Sequence, residues 1–286
     1  MQPVLNMNSS DTAIKLNLLC AYPYLKDEVV QLLKREESEI RFVLDSGAFT
    51  AWKAGKAISL DSYCSFIEKL PIKPWRYFTL DVIGDPEGSL KNYETMLSRG
   101  FNPVPIFTRG EDPKILEHYY STSDLVGIGG LVGTPKNKGF INGMMDIVGK
   151  RKVHWLGFTA MDYIKFYRPY MCDSSSWEGV ARFGTMSLYM GNGQFTFIRK
   201  DDFNKQTSEP IRNRMKQLGC DSNVLGTKHS WAGGRSISRT LAASNGVALS
   251  KDIQANTSTK CFLAFTTKMA GELLIEGWHR QKANRV

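Results

Sequence analysis

Between residues 14 and 185 the chain alternates short apolar runs with amphipathic stretches. The runs are Leu16 to Tyr22, Arg41 to Leu44, Tyr77 to Leu80, Pro103 to Phe107, Leu125 to Ile128, Val153 to Phe158 and Tyr170 to Cys172. Their length, three to seven residues, suits parallel strands buried on both faces. Between them, Leu60, Tyr63, Cys64, Ile67 and Leu70 fall on one face of a helix over Ser59 to Lys69. Further helices are predicted over Lys26 to Glu37, Gly88 to Arg99, Pro113 to Tyr120, Lys136 to Val148 and Met161 to Tyr167. Asp85-Pro86, Asp112-Pro113 and Thr134-Pro135 each join a capping side chain to a proline suited to the first helical turn.

Seven strand–helix units followed by an eighth strand, Phe183 to Tyr189, predict an α/β fold of the (β/α)8 TIM-barrel type. An open doubly wound sheet is the alternative. The barrel is favoured because polar residues follow successive strands: Asp45, Asp81, Thr108, Gly129-Gly130 and Asp173. A barrel carries its chemistry at the carboxyl ends of its strands, whereas an open sheet concentrates it at the switch point. Past the barrel, Met190 to Gln194 reads as a hairpin turn into a strand, Phe195 to Arg199. A polar helix is expected over Glu209 to Leu218, a Gly/Ser/Asn-rich loop over Cys220 to Asn256, and a last helix over Lys260 to Lys282. The expected organisation is a catalytic barrel over residues 12–200 and a basic extension over residues 201–286 that packs on it and contacts nucleic acid.

Composition changes this picture little: 42% hydrophobic and 23% charged residues exclude a disordered or fibrous chain. No window approaches the ~18 apolar residues of a membrane helix, and Met1 to Ala13 has no apolar signal core. A soluble, cytoplasmic protein without a membrane partner is expected. Five scattered cysteines with no CxxC predict free thiols rather than disulfides. Charge adds more. The net +9 is uneven, with 15 Lys/Arg against 7 Asp/Glu in residues 186–286 and 22 against 21 in the rest. A near-neutral body with a basic final third suggests a polyanionic partner, nucleic acid first.

The four histidines, His118, His154, His229 and His279, form no HxH or HxxxH pair, and Cys220 with His229 is too small a set for zinc. Neither a GxSxG elbow nor a GxxxxGK[ST] loop occurs. Carboxylates remain. Asp45, Asp81 and Asp173 each end a predicted strand, so in one barrel they converge on one mouth. Paired carboxylates suit glycosyl transfer, one attacking the anomeric carbon and another moving a proton at the leaving group. Each Asp taken singly is also a plausible helix cap.

Asp45-Ser46-Gly47-Ala48-Phe49, Ile128-Gly129-Gly130-Leu131-Val132-Gly133, Leu156-Gly157, Cys172-Asp173 and Asn192-Gly193-Gln194-Phe195-Thr196 follow one another in order. Together they resemble the DSGG[FY], IGGLAVG, LMG, nucleophile and NGxxFT segments of the tRNA-guanine transglycosylase family, whose catalytic domain is a (β/α)8 barrel. The resemblance implies that Asp173 is the nucleophile at C1′ and Asp45 the general acid/base. It places Ser46, Phe49, Asp81, Thr108, Gly129, Gly130, Leu131 and Gly157 around the base, with Asp81 reading the guanine edge and Phe49 stacking on it. Thr108 stands near a glutamine of that family, so this contact is altered.

The tRNA enzymes of that family carry a zinc subdomain of three cysteines and a histidine, and this chain lacks that ligand set. Zinc and other cofactors are therefore not expected. The basic tail in its place resembles the phage-associated, DpdA-type branch, which exchanges guanine in DNA for a 7-deazaguanine and so shields viral DNA from restriction. The implied partners are DNA and a free 7-deazaguanine base such as preQ0, with tRNA the alternative polymer. Candidate phosphate contacts are Arg199, Lys200, Arg212, Arg214, Lys216, Lys228, Arg235 and Arg239, and Trp231 is a candidate stacking residue. A non-catalytic nucleic-acid-binding barrel and a metal-dependent barrel hydrolase are the competing classes.

Overall fold

A computed structural model describes residues 14–131, 138–179, 185–199, 208–221 and 235–283. Its centre is a parallel sheet of eight strands: β1 (Leu16–Ala21), β2 (Ile40–Asp45), β3 (Arg76–Tyr77), β4 (Ile106–Phe107), β5 (Val126–Ile128), β6 (Val153–Trp155), β7 (Met171–Ser174) and β10 (Lys260–Ala264). They lie in the order β3-β2-β1-β10-β7-β6-β5-β4. The sheet curls, and its two edges meet at a single parallel bridge between Phe78 and Val104. There Thr79 N donates to Val104 O at 2.9 Å and Val104 N to Tyr77 O at 2.8 Å.

Side-chain alternation divides the sheet into a lined inside and a covered outside. Leu19, Val43, Phe78, Ile106, Met171 and Phe262 pack together inside. Leu18, Leu44 and Leu263, one residue away on their strands, face the outer layer instead. That layer is made of α1 (Asp27–Arg35), α2 (Ala48–Lys53), α3 (Leu60–Lys69), α4 (Pro86–Ser98), α5 (Pro113–Thr122), α6 (Lys138–Val148), α7 (Met161–Tyr167) and α8 (Ser176–Gly179). Two of the expected caps form: Asp85 accepts from Gly88 N at 2.9 Å, and Asp112 from Lys114 N at 2.9 Å, each ahead of a proline. The third, Thr134-Pro135, lies outside the described residues. Asp27 and Glu28 open α1 while Lys34 and Arg35 close it, charges that complement the helix dipole.

The eighth strand is not the one expected. Residues within Phe183 to Tyr189 belong to β8 (Thr185–Gly191), which pairs antiparallel with β9 (Gln194–Arg199) in a separate two-stranded sheet. The turn falls on Gly191-Asn192-Gly193, all three at positive φ, as the expected hairpin requires. The strand between β1 and β7 is β10, pairing Leu263 with Leu18 and Cys261 with Cys172. Residues 260–264 were expected to begin a helix because Phe262, Phe265, Met269 and Leu273 keep a three-to-four-residue spacing, and that spacing runs unbroken across a strand-to-helix junction. The helix proper is α11 (Lys268–Ala283). A boundary at residue 200 therefore cuts the parallel sheet: residues beyond it supply one of its strands.

Between β9 and β10 stand α9 (Glu209–Gln217) and α10 (Ile237–Thr257). The second replaces most of the loop expected over Cys220 to Asn256. Its small residues are contact residues rather than turn formers. A Cβ on Gly246 would sit 3.2 Å from the Cβ of Trp177, and one on Gly277 of α11 3.4 Å from Ser244 of α10. Asn245 fastens the hairpin to α10, its side-chain carbonyl accepting from Tyr189 N at 2.9 Å and its amide donating to Ser187 O. Among the described residues, no helix is long and apolar enough to cross a membrane.

A chain ended at residue 200 lacks the strand that joins β1 to β7. It is expected to show no cooperative urea transition by circular dichroism, whereas the full chain shows one. A cooperative transition in the truncated chain would contradict this reading of β10.

Candidate active site

Asp45 is the last residue of β2, and the turn after it is built around one glycine. Gly47 has φ +77, and a Cβ there would lie 2.3 Å from Pro23 Cδ, so the bend admits no side chain. That bend returns the Gly47 N–H to Asp45 Oδ2 at 3.2 Å. Ser46, fully buried, donates its hydroxyl to Asp81 Oδ1 at 3.3 Å and accepts from Ala48 N at 3.4 Å. One short turn thus carries Asp45 and also holds Asp81, which follows the neighbouring strand β3.

Asp173 faces the same mouth from β7, with its residue only 7% exposed. Its Oδ1 accepts the backbone N–H of Gly157 at 2.9 Å and lies 2.8 Å from His154 Nε2. His154, on β6, is wholly buried, its ring 4.9 Å from that of Phe78 and 6.5 Å from that of Phe262. Its Nδ1 is buried with no hydrogen-bond partner among the described residues, and Nε2 faces the carboxylate, to which its N–H donates. One oxygen of Asp173 is thereby pinned twice, and among the described residues no hydrogen bond engages the other.

Asp45 senses the other two carboxylates. Burial pushes Asp45 up to about 7, and the charges of Asp81 and Asp173 add to the rise against the Gly47 and Ser46 N–H groups. Burial likewise raises Asp81 to about 6, offset by its own N–H and the Ser46 hydroxyl. Near neutrality Asp45 can therefore hold or release a proton, which a general acid/base requires.

Comparison of the chain with protein-family models, with curated proteins and with solved structures gives no match. The site stands on its geometry.

Thr108, Gly129 and Gly130 meet at the mouth between β4 and β5. A Cβ on Gly129 would come 2.6 Å from Thr108 Cγ2, and Gly130 takes φ +72. Thr108 donates its N–H to Glu111 Oε1 at 2.9 Å and its hydroxyl to the same oxygen. Leu131 is buried, and Gly157 holds Asp173 rather than standing apart from it. Phe49 projects from α2 with half its surface exposed. Sequence reasoning missed two residues. His154 was set aside for lacking a metal-spaced partner, and its role shows only where the fold brings Asp173 beside it. Glu111, raised by burial with Asp81 nearby, had no signal at all.

The expected phosphate contacts divide. Arg214 donates Nε to Tyr189 O at 2.6 Å and Nη1 to Gln217 at 3.0 Å, and Arg235 pairs with Glu276 at 2.7 Å and Glu272 at 2.6 Å. Arg214 thereby ties α9 to the hairpin, and Arg235, 53% exposed, makes surface ion pairs. Lys216 is exposed on α9, Arg212 is half-buried on the same helix, and Arg239 opens α10 half-buried. Lys200, Lys228, Trp231 and the side chain of Arg199 lie outside the described residues. So does His229. Cys220, its suggested metal partner, is buried, and burial pushes its thiol up to about 11. Among the described residues, no three His, Cys, Asp or Glu side chains come together as a metal site.

The raised carboxyls have a stability consequence whose sign is fixed. An unfolded Asp ionises near 3.8, while folded Asp45 keeps its proton to about 7. The folded state therefore binds the extra proton in between, and stability falls as pH rises through that window. Asp45→Asn, which can still accept from Gly47, is expected to raise the melting temperature at about pH 8 and to lose that advantage towards about pH 4. Differential scanning calorimetry across this range checks it, and equal midpoints at both ends would contradict it.

Proposed function

We propose that the protein is a DNA-guanine transglycosylase, built on a closed (β/α)8 barrel, that exchanges guanine in DNA for a 7-deazaguanine base through a covalent aspartyl intermediate. The observation that carries this reading is the trio of carboxylates at one mouth, with different roles open to each. Asp173 has one oxygen held by His154 and Gly157, leaving the other for attack. That oxygen bonds to C1′ as the C1′–N9 bond breaks, and Asp45 gives its proton to the departing guanine. The incoming base then returns a proton to Asp45, its N9 attacks C1′, and the C1′–O bond to Asp173 breaks. Two displacements retain the configuration at C1′. No redox or nucleotide cofactor is required, because one N-glycosidic bond replaces another.

Asp81 suits the guanine edge, whose N1–H and amine are adjacent donors for one carboxylate. Its tie to Ser46 aligns it with the Asp45 turn. Gly129 and Gly130 leave room for a flat base to approach the backbone. DNA is favoured over tRNA by the resemblance and by the basic final third lacking a zinc ligand set. Taking the target nucleotide out of a stack costs a few kcal/mol, which cationic contacts to phosphates help to offset.

Radiolabelled guanine supplied with equal amounts of DNA and tRNA tests the reading. Label is expected to enter DNA, and Asp173→Asn is expected to abolish entry while leaving the protein folded. Label entering tRNA alone would move the assignment to the tRNA enzymes, and undiminished exchange by Asp173→Asn would end it.

His154→Phe keeps an aromatic ring against Phe78 and Phe262 but removes the donor to Asp173. Losing a hydrogen bond to a charged group predicts a fall in kcat of about ten- to a hundredfold. KM for the free base should change little, since His154 is buried behind Asp173. An unchanged kcat would mean that the Gly157 N–H alone positions the nucleophile.

A further inference from the structure

At the end of the sheet opposite the aspartates, the interior is lined by cations. Arg41, Arg76 and Lys260 each stand two residues before an inward-facing core residue, Val43, Phe78 and Phe262, so alternation turns them to the same inner face. Arg41 is the second residue of β2, Arg76 the first of β3 and Lys260 the first of β10, which puts all three at the floor of the curled sheet. Asp45 lies four residues further along β2 than Arg41, roughly 13 Å away. Two half-buried rings gather these charges. Trp75 stacks on Phe262 with centroids 6.0 Å apart and planes at 16°. Its centroid lies 5.0 Å from Arg41 Cζ, 5.7 Å from Arg76 Cζ and 5.9 Å from Lys260 Nζ. Lys260 Nζ is also 4.2 Å from the Tyr170 centroid, and Lys152 Nζ is 5.1 Å from it. The ring faces hold these cations in place.

Branched apolar side chains ordinarily fill a barrel interior, and like charges collected there repel one another. The described residues answer them incompletely. Asp124 Oδ2 lies 3.4 Å from Arg76 and 3.2 Å from Lys152. Arg41 Nη1 donates to Asn17 Oδ1 at 2.9 Å, a neutral acceptor. Among the described residues the Lys260 ammonium has no ion pair or hydrogen bond, and Arg76 Nε is buried without an acceptor. Two unanswered cationic donors on one inner face call for an anion with several oxygens. A phosphate can take a guanidinium and an ammonium together, whereas one carboxylate would leave the group strongly positive.

We infer that the amino-terminal floor of the sheet binds a phosphate group, with Lys260 and Arg76 as its direct contacts and Arg41 and Lys152 adding charge. Its ligand is a phosphate-bearing compound, either free or part of a nucleic-acid backbone. This floor lies at the other end of the strands from the mouth, and binding there does not depend on the chemistry of the aspartates.

Isothermal titration calorimetry of the full-length protein with sodium pyrophosphate, at constant ionic strength in a phosphate-free buffer, supplies the test. Pyrophosphate is expected to bind. Lys260→Gln and Arg76→Gln should each weaken binding by about tenfold, the value of one hydrogen bond to a charged group. Asp124→Asn removes the competing carboxylate and should tighten binding, an effect that a damaged fold would not produce. Lys91→Gln, at an exposed lysine of α4, should leave it unchanged. A thymidine-only oligonucleotide separates the two sources. Displacement of pyrophosphate by it would identify a nucleic-acid backbone, and pyrophosphate binding undisturbed by it a free phosphate compound. No binding of pyrophosphate, full affinity in both cation variants, or weaker binding by Asp124→Asn would each overturn the inference. Guanine exchange is measured separately, so its failure would leave the phosphate site standing.

Discussion

Strand β10 governs the arrangement of this molecule, because it pairs with β1 on one side and β7 on the other. Without it the other seven strands of the sheet are joined only at the Phe78–Val104 bridge, with Asp45 and Asp81 on one side of it and Asp173 and His154 on the other. Main-chain hydrogen bonding between buried strands has no solvent substitute, since unpaired N–H and C=O groups away from water are costly. The register Leu18–Leu263 and Cys261–Cys172 therefore fixes the relative height of both sides at the mouth. Phe262 then fills the interior behind His154, and Leu263 joins the outer layer.

Given that register, the mouth's electrostatics follow first from burial. Burial at one end of a packed interior raises both Asp45 and Asp81, and for Asp45 the neighbouring charges of Asp81 and Asp173 add to the rise. The local architecture distributes the burden unevenly. Asp173 receives two donors on one oxygen, Asp81 a hydroxyl, and Asp45 two backbone N–H groups that only partly offset burial and like charge. Inequality of this kind lets neighbouring carboxylates take opposite roles at one pH. The Gly47 bend, Ser46 and Gly157 thus set the surroundings of the acids they hold.

The residues beyond β9 combine two duties that charge alone could not separate. Arg214 ties α9 to the hairpin, and Arg235 ties the start of α10 to α11 through ion pairs at the surface. Basic composition in this third is thus partly structural.

Much of the first seven strand–helix units was legible in the sequence, as were the two Asp-Pro caps and the aspartates that end β2 and β7, because strand runs, caps and strand-end polarity are set within a few residues. The eighth strand, helix α10 and His154 were not. Phe262 to Leu273 keeps one spacing through two kinds of structure. The Ser, Ala, Asn and Gly of α10 look like a loop until a second helix packs close enough to need them. A lone histidine has no pattern until Asp173 lies 2.8 Å away. By itself the sequence determined which segments could be strands and which carboxylates end them, since those properties are local. Only the tertiary structure decided which strand closes the gap between β1 and β7, and hence which groups share the mouth, since pairing partners far apart in the chain are selected by mutual burial.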